Sequence, residues 1–258
     1  MPALHNLRKE LTMRLLLAWH NKQPLELPIN YNHILQGIIY KALSSHQTFT
    51  KYLHDDGMYF GKRNYKSFTF SLLNGHYHVA NRRITFDQDV SFEIRSPDVT
   101  FIKVIAEYIY RNGITFGDNH MRDIHIKLVN QTIEDDQLII KMKSPIICYS
   151  TDPNTRYMNF YNPEDPSYSG MLSDNFIRKY IAYYATEPTS NIDINVVKVE
   201  KRDRIVTNYK GIHYTAWYGQ YQLRGERKHL DFLYNIGLGS KNGAGFGMFN
   251  VLEGQTLD

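Results

Sequence analysis

Residues 84–113, ITFDQDVSFEIRSPDVTFIKVIAEYIYRNG, place a strand directly before a helix. We predict the strand over Ile84–Arg95 and the helix over Val99–Tyr110. Proline is favoured where a helix starts, so Pro97 marks a possible start of the helix. The Asn-Gly pair at the end of the stretch is a helix stop signal. The stretch therefore predicts one strand-to-helix step of a mixed α and β fold.

The residues on the N-terminal side supply an earlier strand and helix. We predict a strand over Leu11–His20, a helix from Asn32, and a second short helix over Thr48–His54. The helix that begins at Asn32 is indicated by apolar residues at helical spacing, namely Leu35, Ile38, Ile39, Ala42 and Leu43.

Further strands lie between and after these helices. Ser67–Leu73 alternates polar and apolar residues, and the Asn-Gly pair at 74–75 predicts a hairpin turn before His76–Ala80. Ile114–Phe116 and Ile124–Val129 are typical of extended chain. The predicted order is β-α-β-β-α-β, which is the ferredoxin-like arrangement.

The same order is predicted a second time. Its elements are a strand-rich Gln137–Ser150, a proline-containing loop Thr151–Tyr168, a helix Leu172–Tyr184, hairpin strands Ile192–Glu200 and His213–Arg224, a helix Arg227–Tyr234 and a strand Gly247–Leu252. We therefore predict an α+β protein with two tandem ferredoxin-like domains and antiparallel sheets. The division is placed between residues 1–122 and 123–258.

Composition is compatible with a nucleic-acid partner. The chain has 258 residues, 14% of them aromatic, a net charge of +4 and a pI near 8.9. The single cysteine, Cys148, excludes a disulfide within the chain and fits a reducing cytoplasm. The apolar run Leu15–Trp19 is far short of the ~20 residues that a membrane span needs, and the N-terminus lacks the apolar segment of a secretion signal. We expect a cytoplasmic protein with no membrane partner.

The most specific segment is GLGSKNGAGFGM at residues 237–248. Glycine permits positive φ angles and close backbone approach, and its amide groups can form a concavity that binds anions. The segment is not a nucleotide-triphosphate loop, because Lys241 is followed by Asn and the loop leads into a predicted strand. A tight helix-to-strand connection explains the glycines equally well.

This segment resembles the C-terminal glycine-rich loop of the CRISPR-associated RAMP proteins. Three further stretches are similar to the RAMP endonucleases that process CRISPR precursor RNA, in the same order along the chain: 35–40 (LQGIIY) with 52–54 (YLH), 66–72 (KSFTFSL), and 214–217 (YTAW). The resemblance implies two ferredoxin-like (RRM-like) domains and an endoribonuclease that cuts within the repeat without a metal ion or cofactor. It also implies that the 2′-hydroxyl attacks the adjacent phosphate, leaving a 2′,3′-cyclic phosphate and a 5′-hydroxyl.

The resemblance assigns catalysis to Tyr40, His54 and Lys66. His54 would serve as general acid or base, since the pKa of histidine lies near neutrality. Tyr40 lies about 130° from the centre of the apolar helix face, so it is not expected in the core, and Lys66 would stabilise the charged transition state. His33, His46, His76 and His78 are alternatives to His54.

RNA binding is predicted for two basic clusters and the glycine-rich loop. Residues 61–86 contain no Asp or Glu and interleave cations with aromatic residues, a pattern that suits a phosphate backbone and unpaired bases. The predicted RNA-binding residues are Lys62, Arg63, Arg82, Arg83, Lys201, Arg202, Arg204, Arg224, Arg227, Gly239, Lys241, Asn242, Gly245 and Gly247. A solvated basic surface is the alternative for each cluster.

Other function classes find less support. No Cys and His set has zinc spacing, the acidic runs at 55–56 and 134–136 are not arranged for two metal ions, and no G-x-S-x-G motif occurs. Two RNA-related alternatives stay open: a non-catalytic RNA-binding subunit of a CRISPR ribonucleoprotein, and a general RNA-binding module. The expected partner is CRISPR repeat RNA, with a CRISPR effector complex and a second copy of the chain as further candidates.

Overall fold

The computed structural model describes residues 13–46, 49 and 58–252. The helices in this part are α1 Asn32–Ser44, α2 Val99–Asn112, α3 Tyr168–Tyr184 and α4 Arg227–Ile236. None of them is long and apolar enough to cross a membrane. The predicted helix Thr48–His54 lies outside the described residues except for Phe49.

The described residues of the first half form ten strands: β1 Met13–His20, β2 Leu25–Pro28, β3 Met58–Phe60, β4 Arg63–Tyr65, β5 Thr69–Phe70, β6 Asn74–Ala80, β7 Arg83–Ser96, β8 Ile114–Phe116, β9 Asn119–Met121 and β10 His125–Asn130. The main sheet has the order β10-β1-β7-β2, and β5 and β6 also pair with β7, all antiparallel. Alternate residues of β1, Leu15, Leu17 and Trp19, are buried, because one face of the sheet carries α1 and α2.

The second half repeats this plan. Its strands are β11 Gln137–Met142, β12 Tyr149–Thr151, β13 Met158–Phe160, β14 Asp193–Lys198, β15 Arg204–Tyr209, β16 Ile212–Trp217, β17 Gln220–Arg224 and β18 Phe249–Val251. The main sheet has the antiparallel order β14-β17-β11-β18. The pairs β12–β13 and β15–β16 are added hairpins. Two tandem ferredoxin-like units are therefore confirmed.

Three predicted details differ from the structure. The predicted hairpin turn at 74–75 is not observed, because β6 begins at Asn74 and runs on to Ala80. The turn lies instead between β6 and β7, at Asn81 and Arg82, both with positive φ. His213–Arg224 is not one strand: Gly219, with φ +127°, separates β16 from β17. β14 pairs with β17, and β15–β16 is an insertion between them.

The division of the chain at residues 122 and 123 stays a prediction. β10 follows that position and pairs with β1 in the first sheet, whereas β11 begins the second sheet. We propose that the two halves are joined by residues 131–136.

A buried ionic cluster joins the two halves. Arg95 in β7 is fully buried and bonds Glu93 through Nε (2.7 Å). The same guanidinium donates to the carbonyl oxygen of Phe249 (2.7 Å) and lies over the ring of Tyr234, 3.9 Å from its centre. Lys143 of the second half bonds the other oxygen of Glu93 (2.5 Å). Each buried charge thus has a partner, which is the condition for tolerating charges in a core.

Glu93 is held ionised by this cluster. Burial alone would raise its pKa, but the positive charges of Arg95 and Lys143 and their hydrogen bonds outweigh burial and lower the pKa to about 2. The carboxylate therefore contributes stability above its ordinary pKa of 4.5, and this contribution is lost as the pH falls from 4.5 through 2.

We predict that Glu93→Gln lowers the free energy of unfolding by about 3 kcal/mol at pH 7, because Arg95 and Lys143 lose their buried counter-charge. The difference from the unsubstituted protein should shrink between pH 4.5 and pH 2. Urea denaturation across this range measures it. Glu107→Gln, which removes an exposed partner of Arg111, is the control and should change stability little. An equal loss at every pH would contradict the role of Glu93.

Candidate functional site

An open cavity of about 620 Å³ lies where the two halves meet. Its walls come from α1, the β3–β4 hairpin, the β12–β13 hairpin and the glycine-rich loop, residues 237–247. Predicted site residues that line the cavity are Tyr40, Lys62, Arg63, Lys66, Gly239, Lys241 and Asn242. Segments far apart in the sequence thus converge on one site.

Tyr40 and Lys66 lie on the same cavity. Tyr40 is half-buried near the end of α1, and its ring packs edge-on against Phe68 with centroids 6.2 Å apart. Lys66 directly follows β4 and is half-buried, and burial lowers the pKa of its amine. Gly243 packs so closely on Lys66 that a Cβ there would lie 2.9 Å from the Lys66 Cβ. The glycine-rich loop thereby supports the base of the Lys66 side chain.

The third predicted catalytic residue, His54, lies outside the described residues. The alternative histidines do not line the cavity. His33 is exposed and hydrogen-bonds the carbonyl oxygen of Asn30 (2.9 Å). His76 and His78 are on β6, near Asp87 of β7. His46 follows α1 and is exposed. Among the described residues that line the cavity, no histidine occurs.

The cavity carries concentrated positive charge. Its cationic side chains are Lys62, Arg63, Lys66, Arg156 and Lys241, and its described lining contains no carboxylate. Within residues 13–46, 49 and 58–252, no group of three or more His, Cys, Asp or Glu is placed to hold a metal ion. Cations without neutralising carboxylates attract phosphate, so the cavity is suited to an anionic chain.

Hydrogen bonds from the first half hold the glycine-rich loop. Asn32 and Gln36 of α1 donate through their amides to the carbonyl oxygens of Ala244 (2.9 Å) and Gly243 (2.5 Å). Thr69 of β5 donates to the carbonyl oxygen of Phe246 (3.3 Å). The loop belongs to the second half by sequence, so these bonds fix the two halves against each other at the cavity.

Lys179 of α3 fixes the other side of the loop. Its amine is fully buried and donates to the carbonyl oxygens of Gly237 (2.5 Å) and Gly239 (3.1 Å) and to Asn242 Oδ1 (3.1 Å). Burial lowers the pKa of this amine to about 7. Asn242 in turn donates to the carbonyl oxygens of Leu238 (3.1 Å) and Phe246 (3.0 Å), so its amide is occupied within the loop.

The glycines themselves are required by packing inside the protein. Gly245 (φ +83°) faces the ring of Phe70, where a Cβ would lie 2.5 Å away. Gly247 (φ +77°) is closer still, since a Cβ would lie 1.9 Å from the carbonyl oxygen of Leu238. Both are buried, and Gly239 packs on Ile146. The tight-connection explanation of the sequence is therefore correct for Gly245 and Gly247.

The other predicted RNA-binding cations lie away from the cavity. Arg82 occupies the β6–β7 turn beside a separate cavity of about 470 Å³, and Arg83 forms an ion pair with Glu26. Arg202 pairs with Glu200 (2.7 Å) in a short 3₁₀ turn. The remaining predicted cations, all on the surface of the second half, are Lys201, Arg204, Arg224 and Arg227.

Sequence reasoning missed part of the cavity lining. Arg156 and Tyr149 come from the β12–β13 hairpin, which the sequence predicted only as a loop after a strand-rich segment. Arg156 has a positive φ of 62°, typical of a tight turn. Tyr209, from β15, donates its hydroxyl to Gln36 (2.5 Å) and thereby continues the loop network. The β12–β13 and β15–β16 hairpins are both insertions into the ferredoxin-like plan, so the order of elements did not indicate that they reach the cavity.

Comparison with known proteins agrees with this geometry. Residues 127–251 match the family described as CRISPR-associated protein Cas6, C-terminal. A curated CRISPR-associated endoribonuclease Cas6 from Pyrococcus furiosus is 26% identical over 241 residues, covering 90% of this chain and 86% of that protein. The chain resembles the Cas6 endoribonucleases over nearly its whole length. The resemblance predicted from the sequence is thus confirmed.

Solved structures support the fold. A Cas6-related protein from Pyrococcus furiosus superimposes with a TM-score of 0.78 at 21% identity, covering 95% of this chain and all of the other. A structure described as a RAMP protein binding different RNA substrates gives a TM-score of 0.76 at 20% identity, over 94% of this chain and all of the other. At these identities the two structures bear on the tandem ferredoxin-like fold alone.

We predict that Gly247→Ala lowers the free energy of unfolding by about 3 kcal/mol or more, because the new methyl group would meet the Leu238 carbonyl oxygen in a left-handed backbone. Gly37→Ala is the matched control: Gly37 is exposed on α1 with no atom within 4 Å of a Cβ, so alanine should stabilise by up to about 1 kcal/mol. Urea denaturation compares them. Similar effects of both substitutions would refute the packing role of the loop glycine.

Proposed function

We propose that this protein is an endoribonuclease that binds CRISPR repeat RNA and cuts precursor crRNA once within the repeat. One observation carries the proposal: Tyr40 and Lys66, which the resemblance marks as catalytic, line one cationic cavity with no described carboxylate. The cavity suits an RNA backbone electrostatically. The similarity to a protein named as a CRISPR-associated endoribonuclease supports the same activity.

The proposed reaction needs no metal ion. The 2′-hydroxyl of the nucleotide before the cut loses its proton and its oxygen attacks the neighbouring phosphorus. The bond to the 5′-oxygen of the next nucleotide breaks, and that oxygen takes up a proton. The products are a 2′,3′-cyclic phosphate and a 5′-hydroxyl, so atoms and charges balance without an external reagent. A base, an acid and a cation suffice.

We assign these roles to three residues. His54 is the general acid, or the base in the reverse assignment, and it precedes β3 by four residues in the sequence. Tyr40 positions the 2′-hydroxyl, because a phenol with a pKa near 10 is a weak base at neutral pH. Lys66 stabilises the negative charge that builds up on the phosphorane, and its partly desolvated position strengthens that interaction.

RNA binding is proposed for a wider surface. Lys62, Arg63 and Lys241 would contact the phosphates that flank the cut, since they line the cavity. The backbone of Gly239 and Asn242 would lie beside the scissile phosphate, whereas Gly245 and Gly247 would act indirectly, by fixing the conformation of the loop. The more distant cations would guide the rest of the repeat: Arg82, Arg83, Lys201, Arg202, Arg204, Arg224 and Arg227. A CRISPR effector complex would receive the product, and a second copy of the chain is a further proposed partner.

Incubation of the protein with its host's repeat RNA in excess EDTA tests the function. We expect one discrete cut, and we expect a single 2′-deoxy substitution at the cut site to abolish it, because the attacking oxygen is then missing. With protein in excess over RNA, the rate of cutting is measured separately from the rate of product release. Tight binding of both RNAs without any cut would instead identify a non-catalytic RNA-binding subunit, and equal binding of an unrelated hairpin would indicate a general RNA-binding module.

We predict that His54→Ala slows cleavage by about 10²–10⁴-fold, the usual effect of losing an acid–base group, while the Kd for repeat RNA changes little. Single-turnover rates and filter binding measure the two quantities. His120→Ala, at an exposed histidine of β9, is the control and should cut at the normal rate. Normal cleavage by His54→Ala would remove that residue from the mechanism.

A further inference from the structure

Three polar atoms in or next to the cavity wall are buried without a hydrogen-bond partner among the described residues. They are Asn175 Oδ1, Arg178 Nε and the Tyr65 hydroxyl. The Asn175 residue is 5% exposed. Buried polar atoms are almost always paired in folded proteins, since leaving one unpaired costs stability. Such atoms beside a cavity therefore indicate a ligand that supplies the missing partners.

Two of these atoms belong to one built feature. Asn175 and Arg178 lie one turn apart on α3, so their side chains share a face of the helix. Both line a narrow recess that adjoins the main cavity, and the residues that line both the recess and the cavity include Asn175, Arg63 and Tyr149. The recess has a volume of about 10 Å³, which is too small for a ring, so it would admit only the edge of a group whose body lies in the cavity.

The lining of the recess includes the aromatic ring of Tyr149 and the cations Arg63 and Arg178 among apolar side chains. Tyr149 is half-buried, and burial raises its pKa while the neighbouring Arg63 charge lowers it. Tyr65 is close enough to Tyr149 to interact with it electrostatically. Aromatic faces beside cations suit a nucleobase that has left its stack, and the adjacent phosphate would meet Arg63.

Building on the proposed function, we propose that this recess reads the Watson–Crick edge of one nucleobase next to the cut. Asn175 Oδ1 accepts a hydrogen bond from an exocyclic amine, and Arg178 Nε donates to the adjacent ring nitrogen. Adenine and cytosine present this donor–acceptor pair, whereas guanine and uracil place an N–H where the acceptor is needed. Asn175 and Arg178 are thus specificity-determining residues.

The experiment combines protein variants with base analogues. Repeat RNAs carry, at each nucleotide beside the cut in turn, purine riboside in place of adenosine or 2-pyrimidinone riboside in place of cytidine, so that only the amine is lost. We expect kcat/KM of the unsubstituted protein to fall about 10-fold at one position. Asn175→Leu should lose about 10-fold on the natural RNA and lose nothing further with that analogue.

Two controls separate recognition from folding. Asn195→Leu, at an exposed asparagine of β14, should respond to every analogue as the unsubstituted protein does. Asn175→Leu removes a buried oxygen that lacks a partner, so urea denaturation should show unchanged or higher stability. If this variant does not fold, Arg178→Met replaces it in a comparison with 1-deazaadenosine or 3-deazacytidine, which lack the ring nitrogen, and should lose sensitivity to that analogue at the same nucleotide.

Additive effects of Asn175→Leu and of every analogue would overturn the recess proposal, since the recess would then hold only water. A protein that makes no cut would refute the proposed function separately. In that case the same comparison on the Kd of 2′-deoxy repeat RNA decides the recess proposal, and additive effects there would again reject it.

Discussion

The glycine-rich loop at 237–247 is the constraint on which the rest of the structure depends. It belongs to the second ferredoxin-like unit but packs on the first, with Gly243 against Lys66 and Gly245 against Phe70. No side chain larger than hydrogen fits at Gly247, where the backbone lies against the carbonyl oxygen of Leu238. Because the loop is held by Asn32 and Gln36 on one side and by Lys179 on the other, it sets the relative position of the units and shapes the cavity floor. The buried Arg95 cluster reinforces the same junction, because Arg95 lies beside Thr69 in the first sheet and donates to the carbonyl oxygen of Phe249 in the second half.

The cavity gains its chemistry from that junction. Neither unit alone assembles it: Tyr40, Lys62, Arg63 and Lys66 come from the first, and Arg156 and Lys241 from the second. Cations brought together without carboxylates repel one another, so their convergence costs stability that an anionic ligand would restore. The unpaired atoms of Asn175 and Arg178 add a second unfavourable feature in the same place. Both features are explained if RNA completes the site. Its phosphates would neutralise the positive charge, and its bases would hydrogen-bond to the unpaired polar atoms.

Much of this architecture could be predicted from the sequence because local patterns encode it. The apolar spacing of α1 and the Pro97 and Gly113 signals around α2 gave those helices close to their observed bounds. The convergence of Tyr40 and Lys66 came from resemblance alone. What the sequence could not give was long-range. The alternation of residues through Gly219 concealed the break between β16 and β17, and Arg156 reaches the cavity from a hairpin insertion. The loop glycines were predicted to contact RNA, but the positive φ of Gly245 and Gly247 and their buried contacts with Phe70 and Leu238 depend on a fold that the spacing does not reveal.

The central claim is that the scissile phosphate lies in the cavity between α1, the β3–β4 hairpin and the glycine-rich loop. The most direct test is a crystal structure of the protein with repeat RNA that carries a 2′-deoxy nucleotide at the cut site, so that the bound chain stays intact. The account predicts that the scissile phosphate lies within hydrogen-bonding distance, about 3 Å, of Lys66 and beside Tyr40. A scissile phosphate bound elsewhere, for example against Arg224 and Arg227 with the cavity empty, would contradict it.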